Sequence, residues 1–414
     1  LRFDKLAADT AGTLYNSDNA SLSFSGVTID SRSVSDGELF IAIRGERHDG
    51  HDFIPAAIKS GAAGVISRMD YPGLIHLPGT VGVVAVDDPH QAMLTMAQNY
   101  RHRLACRFVG ITGSNGKTTT KELAFRLLAA LSAKAFCSPG NLNNLYGVPL
   151  AMFRIPEETD YAVMEMGIST STEMPTLADI VDPDVVVITN VGATHLESFG
   201  SVANVARAKL ELARRARPGV PIILNGDDEI LMTEARKVCD DCLTFAIDND
   251  ADYRPEQITI DDSGTTQITI DGYLFSLDLP GRHQVYNLLA AYAAVRSLGL
   301  DFEGVDTAAI SLETAPMRGQ VQTIGGIHFV ADCYNANPES MRVGLEAFFA
   351  VPHEGRRIVV LGDMLELGAD TEDYHYQVGR QLAEYDFASA VFIGSRARRI
   401  LAGANEAGAD SDSM

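Results

Sequence analysis

The stretch Gly110–Glu122, GITGSNGKTTTKE, decides how this chain is read. Before it, CRFVGIT has the apolar run of a short buried strand. After it, Leu123, Leu127 and Leu131 recur at helical spacing with Ala124 and Leu128 beside them, as in a helix with one apolar face. A glycine-rich loop between a strand and a helix lets backbone N–H groups approach phosphate oxygens. The lysine neutralises the outer phosphates, and the hydroxyl after it holds Mg2+. Gly113, Gly116, Lys117 and Thr118 fit those roles, and Ser114, Asn115 and Thr119 complete the loop and helix start. The common pattern has another glycine where Ile111 stands, so this is the shorter form, TGSNGKT.

Outward from the loop, YAVMEMG, DVVVITN and PIILNGD read as strands and SVANVARAKLELARRA as a helix. Continuous apolar strands separated by helices predict a parallel sheet covered on both faces. Residues 258–279 predict an antiparallel meander turning at Asp271-Gly272, and HQVYNLLAAYAAVRSLG an Ala-rich helix. Upstream, GVTID, ELFIAI and AGVIS predict a small α/β unit ending near Leu104, whose last helix, from Pro89 to His102, leads into the loop strand. Downstream, GIHFVADC, RIVVLGD and SAVFIG with their intervening helices predict a further β-α-β series that ends in an acidic, Ser-rich tail.

With 414 residues, the chain is expected to form three units: 1–104, 105–316 and 317–414. Hydrophobic residues at 46% allow large cores, and no apolar run reaches the length of a membrane span. The net charge of −22 excludes a general affinity for nucleic acid, so anionic ligands must be held by helix N-termini, backbone N–H groups, single lysines and metal ions. Five cysteines do not make a disulfide framework, and Cys239-x-x-Cys242 is expected to be a pair of reduced structural thiols. The N-terminus lacks a signal-peptide pattern, so the cytoplasm is expected. It also lacks an initiator Met, so further residues are expected before it.

Glu165 ends one strand and His195 follows another, so both point to the crevice beyond the carboxyl ends of a parallel sheet, where ligands bind. Glu165 suits Mg2+ better than His195 does, because Mg2+ prefers oxygen ligands. A helix-capping Glu and a loop-satisfied His remain the alternative. Lys209, in mid-helix, reads by itself as a solvated cation. Asn287, Arg318 and Asp332 lie at predicted domain edges, where clefts form; an Arg there steadies a phosphate and an Asp takes ribose hydroxyls. Taken singly, each also reads as an ordinary surface or capping residue.

Together, DSRSVSDGELFIAIRGERHDGHDFI, GITGSNGKTTTKE, GNLNNLYGVPL, EMGIST, ITNVGATHLESFGS, GRHQVYNLLAA, DCYNANPESM and LGDMLELG resemble the Mur ligases, ATP-dependent amide-forming enzymes of bacterial cell-wall precursor synthesis. The resemblance is to the branch that adds D-alanyl-D-alanine to UDP-N-acetylmuramoyl-tripeptide. It implies an α/β fold of three domains: a small N-terminal one for the UDP end of the substrate, a central P-loop ATPase with a mostly parallel sheet, and a C-terminal Rossmann-like one. It implies ATP as co-substrate, Mg2+ on Thr118, Glu165, His195 and Lys209, and carbamylation of Lys209. Catalytic roles fall on Lys117, Glu165, His195 and Lys209, and ATP contacts on Asn287, Arg318 and Asp332 besides the loop. Substrate contacts fall on Ser31, Arg32, Asn141, Asn143, Asn144, Asn335 and Asn337. A monomer outside the membrane is expected.

Gln284 stands where the family often has Asn, and Ala331-Asp332-Cys333 where it has Asp-Asp-Ser. The family continues into a strand bearing a Lys-Gly-Ser segment, which this sequence does not include, so the third domain is expected to be truncated. Two other functions fit the same residues: a sister ligase using a different acid and amine, such as a diamino acid ligase or a folylpolyglutamate synthase, and a nucleotide-gated switch.

Overall fold

Arg107–Thr112, the strand before the glycine loop, lies inside a six-stranded parallel sheet. The sheet runs Leu243–Phe245, Ile222–Asn225, Val185–Ile188, Arg107–Thr112, Tyr161–Glu165, Ala135–Cys137. The loop strand is first in sequence, yet its neighbours on the two sides are the third and fourth strands. The chain therefore crosses over in opposite directions from this strand, which opens a crevice at its carboxyl end. The computed structural model describes residues 2–15, 21–260, 265–277, 281–311, 317–351 and 354–409. The expected boundary at Pro316 and the tail from Asp410 to Met414 lie outside the described residues.

Two compact units form. The first comprises Leu1–Cys106, Ser138–Thr159 and Asp179–Asp182. Its five-stranded sheet runs Thr13–Tyr15, Gly82–Val86, Gly64–Arg68, Leu39–Ile41, Val27–Thr28, with only the first pairing antiparallel. Alternate residues feed two cores: Leu39, Ile41, Ile66 and Val84 on one face, Phe40, Val65, Val83 and Ala85 on the other. Burial on both faces is why these strands read as unbroken apolar runs. The helix Pro89–Arg101 begins at Asp88, whose carboxylate accepts from the N–H groups of His90 and Gln91, with Pro89 preset for the first turn.

The second unit comprises Arg107–Cys137, Asp160–Ala178 and Pro183–Met414. One side of its six-stranded sheet is covered by the loop helix Lys117–Ala130 and the Ala-rich helix Arg282–Ser297, whose residues Leu288 to Val295 are all buried. The expected meander is present as strands Gln257–Ile260, Thr266–Ile270 and Tyr273–Leu277. Its last turn, Asp271-Gly272, has positive φ at both residues, as a two-residue hairpin turn requires.

Three expectations are corrected. Ile327–Ala331 does not begin a parallel series: it pairs antiparallel with Gln320–Ile324. Gly325 and Gly326 form the two-residue turn, with φ of 58° and 82°, and that turn favours a hairpin over a crossover. Ile358–Gly362 and Ser389–Ile393 alone form the parallel pair there among the described residues, packed with helices Thr371–Leu382 and Ala397–Glu406. Cys239 and Cys242 are joined by a disulfide rather than reduced, because the turn after helix Glu229–Ala235 brings their Cα atoms to 6.1 Å, within disulfide reach. Lys209 is not solvated but buried, with 3% of its surface exposed. No helix among the described residues is long and apolar enough to cross a membrane.

Candidate active site

The glycine loop is shaped by two close approaches. A Cβ at Gly113 would lie 1.9 Å from Thr189 Oγ1, and one at Gly116, where φ is +79°, would lie 2.1 Å from Asn287 Oδ1. Only glycine fits either position. The segment after the fourth strand clamps the loop: the Asn115 carbonyl accepts from Thr189 Oγ1 at 2.6 Å and Asn190 Nδ2 at 3.1 Å, and the Asn115 N–H donates to Asn190 Oδ1 at 2.8 Å. Ser114 donates its N–H to the Asn190 carbonyl, and its hydroxyl accepts the Gly192 N–H at 2.9 Å and lies 3.1 Å from Thr194 Oγ1. Thr189, Asn190 and Thr194 were not singled out from sequence. A run of polar residues directly after an apolar strand was the available signal.

Lys117 folds over the loop, its Nζ donating to the carbonyls of Gly113 at 2.9 Å and Ser114 at 3.1 Å. Burial lowers the pKa of its ammonium; the carboxylate of Glu165 opposes that shift and the guanidinium of Arg318 adds to it. Two other predicted site residues, Glu165 and Arg318, thus both act on the charge of Lys117. Thr118 Oγ1 donates to Glu165 Oε2 at 2.8 Å, and Glu165 is only 1% exposed. Lys209 reaches the same carbonyl as Lys117, donating from Nζ to Gly113 at 2.9 Å. Burial first, and the neighbouring charge of Lys117 second, hold its pKa well below the ordinary lysine value.

Asn287 braces the other side of the loop, accepting from Thr120 Oγ1 at 3.4 Å and donating to Gln284 Oε1 at 3.1 Å. Thr119 is buried in the first turn of the loop helix. Arg318 stacks 4.0 Å over the ring of Tyr334. Asp332 is exposed; partial desolvation raises its carboxyl, and the charge of Arg318 works against that rise.

His195 has a left-handed backbone, φ +51°, a costly conformation that clusters at functional sites. Its Nδ1 meets the carboxylate of Glu366, which lies inside LGDMLELG. Asn337, expected to touch substrate, caps the helix Pro338–Ala350 and exchanges hydrogen bonds with Asn115. Asn335 is exposed.

In the first unit, Arg32 is exposed and paired with Asp30 at 2.7 Å, and that guanidinium lowers the Asp30 carboxyl to about 2. Ser31 precedes it, partly buried. Asn144 Oδ1 accepts from the N–H groups of Tyr146 and Gly147 at the start of helix Gly147–Met152, while the Asn141 carbonyl accepts the Asn143 N–H.

No group of three His, Cys, Asp or Glu side chains converges among the described residues. The buried pair of Thr118 hydroxyl and Glu165 carboxylate still fits Mg2+, which takes one or two carboxylates beside substrate phosphates and water.

Three family models match in order along the chain: the Mur ligase family catalytic domain at 23–101, the Mur ligase middle domain at 111–295, and the Mur ligase glutamate ligase domain at 317–413. The UDP-N-acetylmuramoyl-tripeptide--D-alanyl-D-alanine ligase of Bacillus subtilis is 34% identical over 90% of this chain and 81% of its own length. The chain belongs to the Mur ligase family. The Escherichia coli ligase of the same name is 33% identical over 92% of this Mur ligase and 84% of the relative. Among solved structures, MurF from Acinetobacter baumannii has a TM-score of 0.85 at 28% identity, covering 97% of this chain and 87% of its own. MurF from Thermotoga maritima, solved in complex with ADP, has a TM-score of 0.79 at 28% identity over 91% and 86%. These matches support the expected α/β fold.

Proposed function

We propose that this Mur ligase joins D-alanyl-D-alanine to UDP-N-acetylmuramoyl-tripeptide at the expense of ATP. A carboxylate does not condense with an amine at neutral pH, because its oxygen leaves poorly. In the reaction, the terminal carboxylate of the tripeptide attacks the γ-phosphorus of ATP, and the bond to the bridging oxygen breaks to release ADP. The amine of the dipeptide then attacks the acyl carbon, loses a proton, and phosphate departs with the bonding electrons.

Phosphoryl transfer of this kind depends on positioning and charge stabilisation. Lys117 swings from the loop carbonyls onto the outer phosphates, and the N–H groups of Gly116, Lys117 and Thr118 line their oxygens at the helix N-terminus. Thr118 and Glu165 would hold Mg2+, with His195 read as a further ligand; when bound, the ion would neutralise charge on the phosphates. Arg318 and Asp332 complete the nucleotide contacts, the one on phosphate and the other on ribose. Asn335 is free to meet the dipeptide, and Ser31, Arg32, Asn141, Asn143 and Asn144 carry the UDP-linked substrate.

Lys209 is read as carbamylated. A neutral amine adds to CO2, forming an N–C bond and releasing a proton, and burial favours the neutral amine. The product is an anion able to orient a metal ion and to pair with Lys117. We read the enzyme as a cytoplasmic monomer.

The observation that carries this function is the convergence of Lys117, Glu165 and Lys209 on the glycine loop and its helix. The test is phosphate release with ATP, UDP-N-acetylmuramoyl-tripeptide and D-alanyl-D-alanine, each omitted in turn. Release should require all three and disappear in Lys117→Ala. Release that ignores the tripeptide and dipeptide would favour a nucleotide switch instead.

A further inference from the structure

The glycine loop and the segment 317–409 meet through a reciprocal pair of amides. Asn337 Nδ2 donates to Asn115 Oδ1 at 2.6 Å, and Asn115 Nδ2 donates back to Asn337 Oδ1 at 3.3 Å. Both partners are fixed. The Asn115 backbone is held on both sides by Thr189 and Asn190, as described above. Asn337 Oδ1 also accepts the Ser340 N–H at 2.9 Å, and the Ser340 hydroxyl takes the Asn337 N–H at 3.0 Å, closing a capping box. Asn337 is 4% exposed. Its carbonyl oxygen has used both lone pairs, so only one amide hydrogen remains for any ligand.

The helix that Asn337 caps, Pro338–Ala350, leads directly to a predicted nucleotide contact. A Cβ at Gly344 would stand 3.3 Å from Asp332 Oδ2, so the helix backbone lies against that carboxylate. The loop on which phosphate sits and the helix face that places Asp332 are therefore joined at this amide pair.

We propose that Asn115 and Asn337 are positioning residues for ATP: their pairing sets the helix Pro338–Ala350, and through it Asp332, against the glycine loop. Asn337 then acts on the nucleotide side of the reaction and is not a contact for the dipeptide. This inference rests on the nucleotide site proposed above.

Asn337→Ser and Asn337→Thr keep a good helix cap but cannot return both amide bonds. In either variant the Kd for a non-hydrolysable ATP analogue, measured by titration calorimetry, and the KM for ATP should rise about tenfold, as loss of two buried hydrogen bonds predicts. The melting temperature should fall by only a few degrees, with the fold kept, and the KM for D-alanyl-D-alanine should stay as in the wild type. Asn115→Ala should weaken ATP to the same extent, and the double variant Asn115→Ala/Asn337→Ser no further, because each residue acts through the other. Unchanged ATP affinity in both Asn337 variants overturns the proposal, as does an effect confined to the dipeptide KM or full additivity in the double variant. A wild-type chain that does not bind the analogue removes the nucleotide site itself, and this inference with it.

Discussion

Lys117 and Lys209 both donate to one acceptor, the carbonyl of Gly113, each at 2.9 Å. Two ammonium groups cannot share that position in a buried site without strong repulsion. Conversion of one into an anion removes the conflict and leaves an opposite charge beside the lysine that must meet ATP.

Lys209→Ala is therefore expected to lower kcat by about a hundredfold, the usual scale for losing one electrostatic contributor. Short carboxylic acids such as acetate should restore part of the activity by occupying the carbamate position, while Lys209→Arg should not be restored. Phosphate release at increasing acetate concentration reads the result. Absence of rescue, with no carbamate resonance in 13C NMR of the protein equilibrated with 13C-bicarbonate, would leave Lys209 a plain amine.

Much of this site was legible because a phosphate loop is a local device, written in consecutive residues with its strand and helix. Lys209 was misread as solvated although the signal was present: Val205, Ala208, Lys209 and Leu212 share the buried stripe of helix Val202–Arg215, so the lysine sits on the apolar face. The hairpin at Gly325-Gly326 was likewise written in the turn and overlooked in favour of the crossover pattern. By contrast, the bonds from Asn337 to Asn115 and from Glu366 to His195 join residues far apart in sequence, and no spacing rule reports them. The edge strands Ala135–Cys137 and Leu243–Phe245 are too short to carry a period.

Gly116→Ala should abolish nucleotide binding. The added carbon would overlap Asn287 Oδ1 and would force a positive φ on alanine, which costs about 1–2 kcal/mol even without the clash. Denaturant unfolding should register a loss at least that large, and ATP-analogue titration should return no measurable heat. Wild-type affinity in this variant would mean that the loop is not held as described.

Glu165→Gln keeps an acceptor for the Thr118 hydroxyl but removes the negative charge, so the fold should survive while the metal requirement changes. The Mg2+ concentration for half-maximal phosphate release should rise about tenfold or more, with a lower kcat at saturation. An unchanged Mg2+ profile would move the ion to other ligands.

His283 gives a stability prediction independent of activity. Burial, helped by the charge of Arg342 and opposed by Glu339, lowers this imidazole to about 4. Above its ordinary value, near 6.5, the imidazole is neutral in both folded and unfolded chains and contributes nothing to a pH slope. Between 6.5 and about 4 the unfolded chain takes up a proton that the folded chain refuses, so stability falls as pH falls through that window. From pH 7 to pH 5 the loss assigned to this one group is at most about 2 kcal/mol. His283→Gln cannot titrate, so its urea midpoint should decline less than that of the wild type over the same interval. Parallel declines in the two proteins would show that His283 titrates normally in the folded state.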